Sequence, residues 1–281
     1  MKFAFVRAEK AGFPIKVLCR VLGVSEQGFH AWNKRAEAGR SKANRLLAQR
    51  IRVEFEASRG TYGSPRITAK LNADGAGLGR RRVARIMCEL GLAAKRPKRH
   101  KCTTDSRGTT AIAENIVNRR FEELAPARNK LWVSDITYIR TWEGWAYLCV
   151  FVDVYSRRVV GHSLADNMAV RRRSPPAGLI IHTDRGSQYA SDSYRDCVAA
   201  IGAIRSMSRK GNCWDNAIGE SFFATYKGEF ADRTSWRTKA CVIEESSIWI
   251  EDIYNASRLH SSIGYRSPIL HELLTRDRGT A

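Results

Sequence analysis

The chain of 281 residues lacks the marks of a membrane or secreted protein. It has no run of about 18 apolar residues, the length needed to cross a bilayer, and its opening, MKFAFVRAEK, holds no apolar stretch of signal-peptide length. Its seven cysteines are odd in number and nowhere spaced as C-x-x-C, so they supply neither a disulfide framework nor zinc-ligand spacing. These absences predict a protein of the reducing cytoplasm with no membrane partner and no zinc. Acid is scarce where base is dense: residues 1–110 hold 8 Asp and Glu against 25 Lys and Arg, a net of +17, whereas residues 111–281 hold 20 against 23. A hydrophobic content of 43% lets most of the chain fold, and the length suits roughly two or three domains. A basic third joined to a nearly neutral remainder predicts a polyanion-binding module attached to a part with other work.

In the basic third, FPIKVLCRVLGVSEQGFHAW puts Pro14 at a first helical position and spaces Ile15, Leu18, Cys19 and Leu22 along one helical stripe. Gly23 breaks that helix, and Ser25 is placed to cap a second one running to Trp32. A longer helix is predicted from Ser41 to about Ser58 on Leu47, Ile51 and Phe55. Ser64 and Pro65 read as cap and first turn of a helix through Leu71, and Gly75, Gly77 and Gly79 as a turn. A final helix opens on Arg80, Arg81 and Arg82, buries Val83, Ile86, Met87 and Leu90, and ends at Gly91. Three arginines at a helix N-terminus oppose the macrodipole by roughly 0.3–1 kcal/mol each, a penalty an anionic partner removes. Residues 1–40 and 41–94 therefore read as two helix-turn-helix units. A basic linker, 95–120, follows, in which Lys98 and Arg99 can track phosphates.

After a helical stretch around 111–124 the pattern turns to strands. KLWVSDITYIR, WAYLCVFVDVY and SRRVVGHSL predict an antiparallel meander whose first turn is Glu143-Gly144. GLIIHTDRGSQY predicts a buried strand entering a glycine turn, followed by a helix from about Ser191 to Ala200 and a short parallel strand, IRSM. The expected class is an α/β core with a mixed sheet and helices over 121–235, preceded by the all-α units and followed by a helical tail, 236–281.

Three acids stand out by position. Asp135 lies inside the first apolar strand, where an unpaired carboxylate is costly, Asp184 closes the LIIHT strand, and Glu220 opens the helix NAIGESFFATYKGEF. At 100° per residue Glu220 and Lys227 fall about 20° apart beside the aromatic stripe of that helix, so Lys227 can reach phosphate next to the carboxylate. Carboxylates gathered at one sheet edge repel unless a cation neutralises them, and hard oxygen donors select Mg²⁺ or Mn²⁺. A pair of such ions suits phosphodiester displacement. Asp153, in the second strand, is an equally visible competitor. His182 shares the strand face of Asp184 and reads as a hydrogen-bonded neighbour, while Asp215 and Asn216 read as caps of the Glu220 helix.

With these residues in view, the chain resembles the Asp-Asp-Glu transposases of insertion sequences, specifically the second-reading-frame (OrfB) product of the insertion-sequence-three family. The matching text runs from about residue 1 to 275 and includes YGSPRI, RRRVARIMCELGL, WVSDITYI, DVYSRRVVG, HTDRGSQY, GNCWDNAIGESFFATYKGEF and YNASRLHSSIGYRSP. The 35 residues between Asp184 and Glu220 equal the family spacing. The resemblance implies a ribonuclease H-like core similar to retroviral integrases, a metal-binding triad of Asp135, Asp184 and Glu220 that omits Asp153, and two Mg²⁺ or Mn²⁺ ions. It also implies DNA cutting that exposes a 3′-OH, then strand transfer. The implied partners are double-stranded DNA at element ends and target, further copies of the chain on DNA, and the first-reading-frame (OrfA) product. Lys227 matches a phosphate-holding lysine, and Arg258 and His260 fall where contact with DNA is expected.

Family members carry a full crossover helix between the third and fourth strands, whereas only the 13 residues ADNMAVRRRSPPA lie between Leu164 and Gly178. Three arginines and two prolines supply no amphipathic stripe. Residues 165–177 are therefore expected to form at most one short helical turn or an irregular loop, leaving the sheet beside Val150, Val152 and Val159 partly uncovered. The alternative reading is an internally deleted, catalytically impaired copy that only binds DNA or inhibits transposition.

Overall fold

A computed structural model describes residues 1–34, 39–95, 112–163, 175–209 and 213–276. Three short helices, α1 (Lys2–Glu9), α2 (Ile15–Leu22) and α3 (Glu26–Lys34), enclose Val6, Cys19 and Phe29. The α2–α3 pair is the one the sequence predicts, with the Gly28 N–H donating to Ser25 Oγ at 3.0 Å. Pro14 stands one position earlier than expected, as the cap itself, with ψ at 134°. Helix α1 was not foreseen, because only Val6 of its residues is buried and no apolar stripe announces it.

The second unit comprises α4 (Gly39–Ala57), α5 (Ser64–Ala73) and α6 (Arg80–Glu89), closed around Leu47, Ile51, Ile67, Leu71, Val83, Ile86 and Met87. Here Gly63 takes the cap position and Ser64 is the first helical residue. Asn72 braces the α5–α6 turn by accepting from the Leu78 N–H at 2.7 Å and donating to the Leu78 carbonyl at 3.0 Å.

The core is one five-stranded sheet in the order β3-β2-β1-β4-β5, built from β1 (Leu131–Thr141), β2 (Gly144–Asp153), β3 (Val159–Ser163), β4 (Ile180–Thr183) and β5 (Ile204–Met207). The first three strands are antiparallel neighbours and the last two join β1 in parallel. The hairpin turn is Trp142-Glu143, one residue before the predicted one, since Thr141 pairs with Gly144. The helix foreseen over 111–124 shrinks to α7 (Phe121–Leu124), and the described residues before it run irregularly past β5, where Ser206 Oγ accepts from the Ile116 N–H.

Helix α8 (Asp192–Ala200) covers one face, burying Tyr194 and Val198 with Trp132, Phe151, Val160 and Ile181. The other face is roofed by α9 (Ala217–Glu229), α10 (Lys239–Ile248) and a π-helical continuation, Trp249–Asn255. Val150, Val152 and Val159 lie under this roof at 0–2% exposure. The expectation that they would be uncovered is therefore wrong: strand alternation points them at the C-terminal helices, so their cover does not depend on the crossover. Residues 165–174 lie outside the described part, and Pro175 and Pro176 have no regular structure.

The C-terminal segment ties the pieces together. Asn255 pins edge strand β3, donating to the Val159 carbonyl and accepting the Val159 N–H, both at 2.9 Å. Glu272 of α11 (Pro268–Arg276) accepts from Ser156 Oγ and Arg158. The second helical unit docks here too: the Leu259 N–H donates to Tyr62 Oη at 2.9 Å, and Arg66 Nε donates to the Leu259 carbonyl at 3.0 Å. Arg258 grips Glu229, at the end of α9, through two bonds of 2.8 and 2.9 Å. Arg66 stands 3.9 Å from the same carboxylate.

Candidate active site

Strand pairing brings the two aspartates together. The parallel ladder between β1 and β4 ends at Ser134 opposite Thr183, so Asp135 and Asp184 are the next residues on adjacent strands, which lie about 4.8 Å apart. Asp135 points to the face under α9, where its Oδ1 accepts the Ile136 N–H at 2.8 Å. Asp184 begins a tight loop in which its Oδ1 accepts the Gly186 N–H at 2.9 Å.

Helix α9 closes over this pair because residue 219 is glycine. A Cβ there would lie 3.0 Å from Asp135 Cβ and 3.2 Å from both amide atoms of Asn216. A glycine inside a helix costs about 1 kcal/mol relative to alanine, and the close approach to β1 is what that cost secures. Sequence reading passed over Gly219, although a mid-helix glycine beside a candidate ligand is the kind of signal that marks close packing. Glu220 follows it, on the exposed rim of the helix.

The charges of these groups act on one another. The Asp135 carboxyl is raised to about 7, first by burial and then by the neighbouring charges of Asp184 and Glu220, against the opposing Ile136 N–H and Lys227. Burial also raises Asp184, and it lowers Lys227 despite the nearby carboxylates of Asp232 and Asp135. Among the described residues no three His, Cys, Asp or Glu side chains are gathered tightly enough to grip an ion. The donor set nevertheless fits a hard cation: three carboxylates whose mutual repulsion raises the proton affinity of the innermost one.

Asp153 is placed quite differently. It is fully buried, and its oxygens accept from the Asn129 N–H, Trp132 Nε1, the Ser156 N–H and Ser156 Oγ at 2.6–3.2 Å. That network fixes the β2–β3 turn. His182 is also fully buried, between Ser206 Oγ at 2.9 Å and Ser208 Oγ at 3.2 Å, and burial lowers it to about 4, so it is neutral. Asp215 binds Arg209, Arg119 and Asn115 and does not cap α9. Asn216 does occupy the cap position, without a side-chain cap bond.

Of the basic candidates, Arg80 and Arg81 are exposed at the start of α6. Arg82 turns inward and donates twice to Asn44 Oδ1, at 2.8 and 3.1 Å. Lys98 and Arg99 lie outside the described residues. Arg258 and His260, placed by sequence near DNA, are buried at 5% and 9% exposure, with Arg258 spent on Glu229.

Known proteins bear on this architecture directly. Integrase core domain models match residues 125–213 and 202–268, and an HTH-like domain model matches residues 41–100. The fold and its matches thus define an integrase core domain behind a helix-turn-helix-like domain. The chain is 38% identical over 262 residues to the insertion element IS600 uncharacterized 31 kDa protein of Shigella sonnei, covering 89% of this chain and 96% of that one. It is 34% identical over 281 residues to transposase InsF for insertion sequence IS3A of Escherichia coli, covering 95% and 97%. The chain belongs to the IS3 family of insertion-sequence transposases. The HTLV-2 integrase catalytic core in complex with magnesium is a looser likeness, with 15% identity, a TM-score of 0.37, and 52% of this chain and 99% of that one covered. Neither these relatives nor the complete five-stranded sheet supports the reading of a DNA-binding remnant.

Proposed function

We propose that this transposase cuts DNA at the ends of its insertion sequence and transfers the exposed 3′ ends to a target, using Asp135, Asp184 and Glu220 with two Mg²⁺ or Mn²⁺ ions. The observation that carries the reading is the convergence of β1, the end of β4 and α9, which leaves Asp135 under the combined charge of Asp184 and Glu220. When bound, the ions would stabilise the attacking and leaving oxygens of phosphodiester exchange. Asp135 would hold its position on the central strand, Asp184 in its braced loop, and Glu220 would reach in from the rim of α9. Lys227, within charge range of Asp135, would hold a phosphate. His182, neutral and bonded on both ring nitrogens, takes no proton in this scheme.

In the same reading residues 1–94 grip duplex DNA through Arg80 and Arg81, with Arg82 braced by Asn44, and Lys98 and Arg99 follow the backbone towards the core at 121–235. Several copies act together on DNA in the cytoplasm, with the first-reading-frame product as a further partner. No described helix is long and apolar enough to cross a membrane.

The test uses labelled element-end DNA with Mn²⁺. Alanine at Asp135, Asp184 or Glu220 should abolish cutting while DNA affinity stays near wild type; a triad variant that still cuts removes the proposal. Arg80→Ala with Arg81→Ala should weaken binding and lower the salt slope by about 1 per lost phosphate contact. An unchanged slope would take these arginines off the DNA.

A further inference from the structure

The face of the sheet opposite Asp135 does not end where its cover ends. Past Trp132 and Phe151, which are buried, the β1–β2 hairpin carries Tyr138, Trp145 and Tyr147 at 45%, 52% and 51% exposure, and Arg140 is exposed among them. Tyr138 pairs directly with Tyr147 across the ladder, and Arg140 with Trp145, so the four side chains form a two-by-two patch on one face. Their rings meet edge to face, Tyr138 with Tyr147 at 5.0 Å and with Trp145 at 6.4 Å. At the turn Trp142 is 73% exposed with the Arg237 guanidinium 5.7 Å from its ring centre.

We propose that Tyr138, Arg140, Trp145 and Tyr147 form a platform for single-stranded DNA, distinct from the triad, on which bases stack against the rings and a phosphate meets the guanidinium. Three features favour this occupant over a protein surface. The four side chains include a cation and no acid, so a complementary partner carries negative charge. An apolar protein partner would bury Arg140 without an opposite charge, which is costly, whereas a nucleotide offers a π face and a phosphate together. The rings also stand on a regular ladder, so little freedom is lost when a strand settles on them. Two rungs span about 7 Å, room for about two nucleotides at roughly 3.4 Å each.

The experiment uses the full chain with unlabelled duplex DNA at saturation, which occupies the helical region. A short oligothymidylate carrying one 5-iodouracil is added, irradiated, and the cross-linked peptide identified. Cross-links should fall on the hairpin at Tyr138, Trp145 or Tyr147. Trp145→Ala and Tyr147→Ala should each weaken oligothymidylate binding at least about fivefold, Trp145→Phe and Tyr147→Phe should restore most of it, and duplex binding should stay unchanged. Three results overturn the proposal: absence of oligothymidylate binding under saturation, cross-links confined to residues 1–95 with alanine variants binding normally, or sedimentation in which Trp145→Ala converts a dimer to a monomer. The last would make the patch a contact between copies.

Discussion

The two faces of the central sheet are made from the same strands and put to opposite uses. On the face of α9, alternate residues from Leu131 and Val133 through Ile139, with Ala146, Leu148 and Val150 opposite, stay buried to the hairpin end, and aromatic rings of α9 and the π-helical segment fill the space above them. On the face of α8 burial stops midway, and the outer rungs carry rings and an arginine into solvent. The closed face can hold a half-buried carboxylate at a fixed place, because every neighbour is packed; the open face can exchange partners, because none is.

That contrast can be broken from the closed side first. Phe222→Ala removes a side chain at 2% exposure that stacks on Tyr226 and meets Tyr254 edge to face at 4.9 Å. Urea unfolding should register a loss of about 3–5 kcal/mol, and a loss under 1 kcal/mol would mean the roof repacks freely. Gly219→Ala should come next, at about 1–3 kcal/mol, because its new methyl meets Asp135 Cβ at 3.0 Å. It should slow cutting more than it weakens DNA binding. Cutting at the wild-type rate would show that α9 has slack over β1.

Asp135→Asn should act in the opposite direction. An ordinary aspartate titrates near 3.9, and Asp135 is held up to about 7, so between those values the folded metal-free protein keeps a proton that the unfolded chain has released. The stability this adds is complete below about pH 4 and is lost as pH rises through about 7. The variant should therefore melt a few degrees above the metal-free wild type at pH 8 and lose that lead as pH falls from about 7 to about 4. A gap independent of pH would sink this account. The smallest effect belongs to the open face: Tyr147→Ala should change stability by about 0.2–1 kcal/mol, since its half-exposed ring loses only its cross-strand contact with Tyr138.

Much of the fold is legible in the sequence because strand alternation and helix spacing are strong there. IRSM is β5 residue for residue, and Ser25 caps α3 with a side-chain bond, as its position implies, while Ser191 proves to be the cap of α8 and not its first residue. The turn and cap errors at Pro14, Ser64 and Glu143 are single-position slips, where neighbouring residues are equally able to fill the role. Choosing among the acids was not possible from local pattern alone. Asp135 and Asp153 both sit in apolar strands, and only the pairing of β1 with β4 and the bonds around Asp153 separate a candidate ligand from a turn brace. The cover over Val150 and Val152 is not legible locally, because α10 and the π-helical segment return from about 90 residues further along the chain to roof them. Arg258, expected at DNA, is buried on a partner equally invisible to local pattern: Glu229 is 29 positions away.

The bonds from Tyr62 and Arg66 to Leu259 set an order of events in time. These partners are 197 and 193 positions apart, so at a synthesis rate of about 5–20 residues per second the helical unit waits roughly 10–40 s for them to emerge. It has its own buried cluster to close in that interval. A growing chain can thus present the exposed arginines of α6 while the core is still unmade, and the last strands and helices would be assembled beside whatever DNA those arginines have already found.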